Sequence, residues 1–284
     1  MNDDPRIQRL LFDALAVSGL RQVIEIAGAV GVVVLPVKGV VLTRWLYETL
    51  DERPYRDLDL LVGRSSLGPL TDAVKSRGWP VRHVSVEMGE LEFEVGRLVV
   101  EVHGEFGRRD LSRLSNNEVI ARARPDQQTF PFGTLRIDDV DHLLLLVANV
   151  TKKAYTYANP HQPADLDRLL ARLEPRWDQL IDRARAAGFI TGLQSVAEWM
   201  ALDRGSALFA RFLERIPRKR RLLPVLVTLH RRLETRRGNR LRTISGQLGL
   251  ALATQTPDDW SLRARGLARV VRRGLWRRLG RDPG

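Results

Sequence analysis

Helical and extended spacings of apolar residues alternate along the first 50 positions of the chain. Apolar residues between Ile7 and Ala29 recur every three to four positions and predict helix, with Gly19 as the point at which it divides in two. The β-branched run from Val32 to Leu35 predicts a buried strand that Pro36 interrupts. Helical spacing then returns from Val40 to Leu50.

Four short strands and one helix are predicted in the next 50 positions. The helix extends from Leu67 to Arg77 and ends at Gly78, a residue that commonly follows the last turn. The predicted strands are Leu58 to Val62, Val81 to Val86, Leu91 to Val95 and Leu98 to His103.

Helices alone are predicted after residue 137. They are Asp138 to Val150, Ala164 to Leu173, Trp177 to Ala187, Thr191 to Leu202 and Leu222 to Leu233. Strands followed by a run of helices are typical of an α+β domain joined to a helical domain. We therefore predict an α+β fold, with a first domain at residues 1–137 and a helical domain at 138–284, connected through Arg122 to Gly133.

Charge is distributed unevenly over the 284 residues, whose formal net charge is +12. Residues 211–284 hold 20 basic and 5 acidic side chains, whereas the first 210 residues hold 26 basic and 29 acidic. A basic segment of this kind favours a polyanionic partner, either RNA or an anionic membrane surface. Within it, residues 267–277 alternate apolar and arginine stripes at helical spacing, which predicts a basic amphipathic helix. The alternative is a solvated surface in a protein rich in arginine.

The chain has no cysteine and begins with an acidic, polar segment. Disulfides, thiolate zinc sites and cysteine nucleophiles are therefore excluded, and the N-terminus does not have the basic start and apolar core of a signal peptide. The most apolar windows, near Val30 and Leu143, are shorter than the roughly 20 residues that cross a bilayer. We expect a cytoplasmic protein without a transmembrane segment.

Two aspartates at the start of the second predicted strand are the first candidates for chemistry. Asp57 and Asp59 are two positions apart, so in a strand their side chains point to the same face. Two neighbouring carboxylates repel each other unless a cation lies between them. Hard divalent ions such as magnesium prefer oxygen ligands of this kind. A surface strand with alternating acids is the alternative reading of this short motif.

Two further segments add to this pair. Glu101 lies between Val100 and Val102 on a later strand, which places a third carboxylate on a candidate cleft face, with His103 beside it. Lys38 and Gly39 precede the helix that begins near Val40, where amide groups and a cation favour phosphate. Taken alone, the Lys-Gly segment reads as a simple turn with a solvated lysine.

The order of these segments resembles the polymerase β-like nucleotidyltransferase superfamily, in particular its uncharacterised bacterial branch. Members of that branch carry Leu-Lys-Gly, a helix that ends in Leu-Tyr, Arg-Pro-x-x-Asp-h-Asp-h-Leu-Val and a later h-Glu-h-His, where h is apolar. The matching segments here are Val37–Gly39, Leu46–Tyr47, Arg53–Val62 and Val100–His103. The resemblance is specific over residues 33–103 and looser to residue 202. It implies a mixed sheet with helices, followed by a helical domain.

The resemblance also implies two-metal transfer of a nucleoside monophosphate from a nucleoside triphosphate, such as ATP, to a hydroxyl acceptor. Asp57, Asp59 and Glu101 are then the catalytic carboxylates that hold magnesium, with manganese as the alternative ion. The acceptor is RNA, a protein side chain or a small molecule. The basic C-terminal segment favours RNA among these acceptors.

The remaining site residues implied by the resemblance bind the nucleotide. Lys38 and the Gly39 amide position phosphate, and Arg53 and Arg56 neutralise charge on pyrophosphate, with an ion pair to a neighbouring acid as the alternative for either arginine. His103 is either a base or a residue that orients a ligand, of which the second is more usual.

One departure from the branch motivates a different function. The branch places a histidine in the helix predicted at Asp138 to Val150, and we assign that position here to Asn149. A catalytically silent nucleotide- or nucleic-acid-binding module on the same fold, acting as a partner subunit, is therefore the alternative function. A third reading is a basic nucleic-acid-binding protein with structural acids.

Overall fold

The computed structural model describes residues 4–85, 89–105, 112–152 and 160–216. The helices predicted at Leu222 to Leu233 and at residues 267–277 lie outside this part of the chain. The described residues form two compact units, of which the first comprises 4–105 and 114–142 and the second 112–113 and 143–216, with the gaps just given. The division into domains at 1–137 and 138–284 stays a prediction. Among the described residues, no helix is both long enough and apolar enough to cross a membrane.

The first unit contains both helices and strands, and it ends within α5 (Asp139–Lys152). The elements of the first unit are α1 (Pro5–Ala29), β1 (Leu35–Val37), α2 (Gly39–Leu46), β2 (Leu58–Leu61), α3 (Leu67–Ser76), β3 (Val81–Ser85), β4 (Glu90–Val95), β5 (Leu98–His103), α4 (Asn116–Arg122), β6 (Arg124–Asp126), β7 (Thr134–Arg136) and the start of α5 (Asp139–Lys152). The later helices are α6 (Gln162–Arg172), α7 (Trp177–Ala186), α8 (Ile190–Asp203) and α9 (Ala207–Arg215). The predicted α+β fold is thus confirmed.

Five strands form a mixed sheet in the order β1-β2-β5-β4-β3. β2 and β5 run parallel, while the other neighbouring pairs are antiparallel. A parallel pair needs a crossover, and α3, β3 and β4 lie between β2 and β5 in sequence. This crossover brings the strand that holds Asp59 beside the strand that holds Glu101.

Apolar side chains on one face of the sheet build the core of the first unit. Buried residues of β2, β4 and β5 pack against buried residues of α1 and α3. On β4 and β5 buried and partly exposed positions alternate, as expected for a strand with one face on the core. The opposite face therefore carries the polar residues of β2 and β5, which include the candidate site.

The first helix continues through Gly19, so the predicted division into two helices is wrong. Asp4 caps its start by accepting a hydrogen bond from the Arg6 amide at 2.8 Å, and Pro5 takes the first helical position. A Cβ added to Gly19 would lie 2.5 Å from Cδ2 of Leu98 on β5. The glycine thus permits close packing of helix on strand and does not break the helix.

The first strand begins at Leu35, three positions later than predicted, and includes Pro36. Proline has no amide hydrogen, so strands tolerate it at the edge of a sheet, and β1 is an edge strand paired only with β2 in the described sheet. Val32 and Val34 are buried as predicted but precede the strand. The helix after it ends at Leu46, four residues before the predicted end.

Three short elements occupy the predicted connection and the residues around it. α4 begins with a capping box, in which Ser115 and Glu118 exchange hydrogen bonds. The two-stranded sheet β6-β7 follows, so the segment from Arg122 to Gly133 includes regular structure that was not predicted. Elements of three residues are too short to give a periodic signal.

Apolar residues of α6, α7, α8 and α9 fill the interior of the second unit. Trp177 donates from Nε1 to the Leu170 carbonyl at 3.1 Å and packs edge-on against Phe212, with ring centroids 5.2 Å apart. α9 was not predicted, although Ser206 caps it through the Phe209 amide. The helical character predicted for this region is confirmed.

Candidate active site

Strand pairing brings Asp59 and Glu101, two of the three predicted carboxylates, together. In the parallel register of β2 and β5, Asp59 is the partner of Glu101 and Leu61 is the partner of His103. Residues opposite each other in a sheet share a face, so Asp59 and Glu101 project side by side. Asn116 strengthens the ends of both strands, because its Nδ2 donates to the Val62 carbonyl at 2.7 Å and to the His103 carbonyl at 2.8 Å.

Asp59, Glu101 and His103 form a cluster whose potential ligand atoms lie within 4.8 Å of one another. Nε2 of His103 is 3.0 Å from Oδ1 of Asp59 and 3.9 Å from Oε2 of Glu101. Asp59 is buried, while the other two side chains are half-exposed. The cluster therefore has an open side from which a ligand can approach.

Lys38, which lies between β1 and α2, reaches the same aspartate. Its Nζ lies 2.5 Å from Oδ1 of Asp59. Burial lowers the pKa of Lys38, but the charges of Asp59, Glu101 and Asp57 outweigh it and raise the pKa above its ordinary value. Burial disfavours the charged form of Asp59 too and so raises its pKa. The charge of Lys38 and the hydrogen bond to His103 outweigh burial and hold the pKa of Asp59 well below its usual range. The ammonium and the Asp59 carboxylate are therefore both charged at neutral pH.

Asp57 lies one residue before β2 and is partly buried. Burial and the charge of Asp59 raise the pKa of Asp57, and burial with the charges of Asp59 and Asp57 raises the pKa of Glu101. Lys38 pairs directly with Asp59, and at Asp57 and Glu101 burial and the neighbouring carboxylates outweigh the nearby positive charges. A divalent cation with oxygen ligands would relieve the repulsion between the carboxylates, so the residues fit magnesium or manganese.

Gly39 begins α2 and is packed closely by the segment that precedes Asp57. A Cβ at Gly39 would lie 2.8 Å from Cβ of Tyr55, a backbone-proximal atom that cannot swing away. Arg53 is buried and donates from Nη1 to the Gly39 carbonyl at 3.3 Å, whereas Arg56 is exposed. Of the two predicted arginines, the structure therefore places Arg53 against the Lys38-Gly39 turn.

A buried ionic group holds Tyr55 in this position, and the sequence reading missed it. Asp13 of α1 is ion-paired with Arg44 of α2 and accepts a hydrogen bond from the Tyr55 hydroxyl at 2.8 Å. Burial, followed by the negative charge of Asp13, raises the pKa of Tyr55 above its ordinary value. An aspartate within an amphipathic helix is the one signal that could have identified this group.

His142 of α5 was also missed. The ring is completely buried, and its Nε2 accepts a hydrogen bond from the Lys38 amide at 3.2 Å. Trp45 stacks on it with ring planes 5° apart, and the Arg136 guanidinium lies 4.3 Å from the centroid of the Trp45 ring. The helix that was assigned Asn149 in place of the expected histidine therefore holds a different histidine, which touches the candidate site.

Comparison with known proteins gives three findings. A family model described as "uncharacterised nucleotidyltransferase" matches residues 11–201. No curated protein matches the chain in sequence. The solution structure of the antibiotic-resistance factor ANT(2'')-Ia is similar at a TM-score of 0.43 and 12% sequence identity, with 68% of this chain and 97% of that chain covered.

Proposed function

This chain belongs to the uncharacterised nucleotidyltransferase family, and on that premise we propose that it transfers a nucleoside monophosphate from a nucleoside triphosphate, such as ATP, to a hydroxyl acceptor with the help of divalent metal ions. The observation that supports this reaction most strongly is the meeting of Asp59, Glu101 and His103 on neighbouring strands, with Lys38 on the same carboxylate. Such a group combines a cation site with a phosphate-binding ammonium around one carboxylate.

The carboxylates are assigned to the metal. Asp57, Asp59 and Glu101 would hold magnesium, or manganese as the alternative, and the mutual repulsion that adds to burial in raising the pKa values of Asp57 and Glu101 favours a cation at this position. When bound, the metal neutralises charge on the triphosphate and lowers the pKa of the acceptor hydroxyl. His103 orients the Asp59 carboxylate through its hydrogen bond at 3.0 Å.

The turn between β1 and α2 is assigned to the triphosphate. Lys38 supplies an ammonium that is shared between Asp59 and phosphate, and the amide of Gly39 faces the ligand at the start of α2. Arg53 holds the Gly39 carbonyl and so shapes this turn. Arg56, which is exposed, compensates charge on the departing pyrophosphate.

The test is transfer of label from each of four α-labelled nucleoside triphosphates in magnesium and a host-cell extract. We expect the full chain to label one fraction and the Asp57→Asn, Asp59→Asn variant to label none. Asp182→Asn is a matched control, because it makes the same chemical change at a side chain that is 72% exposed on α7. Label from the double variant at the wild-type rate would refute the assignment of the two aspartates.

The same experiment identifies the class of acceptor. Label that nuclease removes identifies RNA, label that protease removes identifies a protein, and label that survives both identifies a small molecule. If the acceptor is RNA, we expect the protein to bind RNA with an affinity that falls steeply with salt, because arginines of residues 211–284 would displace counterions from phosphates. If no fraction is labelled and no triphosphate binds with magnesium, the silent binding module becomes the better proposal.

A further inference from the structure

Lys38 has a backbone conformation that residues with side chains seldom adopt. Its φ is 53° and its ψ is −121°, and it is the one non-glycine residue with a positive φ in the described part of the chain. Glycine adopts such angles without strain. A lysine is retained in this conformation only if the surrounding structure imposes it, and strained residues of this kind cluster at functional sites.

Hydrogen bonds from two helices hold the Lys38 backbone in place. Its amide donates to Nε2 of His142 at 3.2 Å, and its carbonyl accepts from the Leu42 amide at 2.7 Å. The second bond closes the first turn of α2. The first is made to His142 of α5, a residue that follows Lys38 by 104 positions in sequence. The amide would otherwise have no helical partner, because it precedes the helix.

Nε2 is the polar atom of His142 that makes this contact. The ring is completely buried, and among the described residues its Nδ1 has no hydrogen-bond partner. Because Nε2 accepts from the Lys38 amide, a neutral ring carries its hydrogen on Nδ1. Burial, with the charges of Arg53, Arg136 and Lys38, lowers the pKa of His142 to about 3, which keeps the ring neutral.

Aromatic packing fixes the plane of the imidazole. The Trp45 ring lies parallel to it at a centroid distance of 6.4 Å, and Arg136 packs on the Trp45 ring. A fixed ring places Nε2 at one position relative to β1. The Lys38 side chain then extends from a fixed backbone, with Nζ at 2.5 Å from Asp59.

We propose that His142 is a positioning residue, whose Nε2 holds the Lys38 amide in the positive-φ conformation and thereby directs the Lys38 ammonium to the triphosphate of the bound nucleotide. The inference rests on the proposed function, in which Lys38 binds phosphate. It adds a residue outside the motif segments, and it explains why a buried imidazole is present where a leucine would pack without polar cost.

The test is a double-mutant cycle on nucleotide affinity in the full chain. The probe is whichever of the four nucleoside triphosphates binds most tightly with magnesium. His142→Leu removes the acceptor, and we expect it to weaken binding about tenfold, whereas in a Lys38→Met background it should weaken binding by less than about twofold. His142→Gln keeps an acceptor and should restore affinity to within about threefold of the wild type. Equal losses in both backgrounds, or no rescue by glutamine, would show that the ring only packs.

A second measurement needs no nucleotide. In His142→Leu, hydrogen exchange at the Lys38 amide should be about tenfold faster, while the amides of β5 report any general loss of stability and His142→Gln serves as the conservative control. Unchanged exchange at Lys38 would overturn the positioning role. If the wild type binds no triphosphate but exchange responds as expected, the proposed function fails and the positioning of Lys38 stands.

Discussion

Lys38 and Asp59 form an ion pair that joins the turn after the edge strand β1 to β2, with Nζ of the lysine 2.5 Å from Oδ1 of the aspartate. The side chains are only 19% and 8% exposed, so water screens neither charge well. His103 contacts the same carboxylate, and Glu101 lies beside it. Asp59 therefore lies at the centre of the site, in contact with the ammonium and the imidazole and beside the neighbouring acid.

Removing one member of this pair should destabilise the protein more than removing both. Asp59→Leu leaves the ammonium of Lys38 without its nearest partner and should lower the free energy of unfolding by about 3 kcal/mol. The double variant Lys38→Met, Asp59→Leu should regain most of that loss, because an apolar pair can replace a buried ion pair. Urea denaturation measures both, and nucleotide transfer should be absent in each. A double variant less stable than the single one would contradict this account.

Magnesium should stabilise the folded protein through the carboxylates. A ligand that binds only the folded state at about ten times its dissociation constant adds about 1.4 kcal/mol. For a chain of this size that corresponds to a rise in melting temperature of about 2 °C or somewhat more. Thermal unfolding in magnesium chloride, against sodium chloride of equal ionic strength, measures the rise. Glu101→Gln should reduce it, and an undiminished rise in that variant would place the ion elsewhere.

The stability of the protein should fall in acid through His142. Because the folded-state pKa is about 3 and lies below the ordinary value of 6.5, the unfolded chain binds a proton that the folded chain does not. The contribution of neutral His142 to the free energy of unfolding is therefore complete above pH 6.5 and is lost progressively towards pH 3. In this window the free energy of unfolding should fall by about 1.4 kcal/mol per pH unit more steeply than in His142→Gln. Equal slopes in the two proteins would mean that His142 is protonated when folded.

Two glycine substitutions should have opposite effects on stability. In Gly39→Ala the new Cβ would meet Cβ of Tyr55 at 2.8 Å, so the segment before Asp57 must shift. We expect a loss of about 1 to 3 kcal/mol, together with loss of transfer. Gly28→Ala is the matched control, because no atom lies within 4 Å of its added Cβ, and it should gain up to about 0.5 kcal/mol in α1. Chemical denaturation and the transfer assay separate the two effects.

Local patterns in the sequence were sufficient to predict the elements that carry the candidate site. Alternation around Asp59 and around Glu101 predicted both strands, and β5 has the predicted bounds, Leu98 to His103. Periodicity does not encode which strands become neighbours. The resemblance supplied the expectation that Glu101 and Asp59 hold the same metal ions, but the parallel pairing of β2 and β5 that brings them together was not predicted.

Contacts distant in sequence account for what was not predicted. His142 lies in a helix of mostly apolar residues, where a histidine reads as part of the core, and its hydrogen bond to Lys38 crosses 104 positions. The positive φ of Lys38 has no signature either, since glycine is the usual residue there. Gly19 illustrates the reverse error, because a glycine in a helix can reflect a close neighbour rather than an interruption.

The contact between Gly19 and Leu98 has an evolutionary consequence. A Cβ at position 19 would overlap Cδ2 of Leu98, so a larger residue there requires the Leu98 side chain to move or to be replaced by a smaller one. The residues at positions 19 and 98 should therefore covary during evolution. Family members with a larger residue at position 19 should carry a smaller one at position 98, and Leu98→Ala should reduce the loss of stability that Gly19→Ala causes.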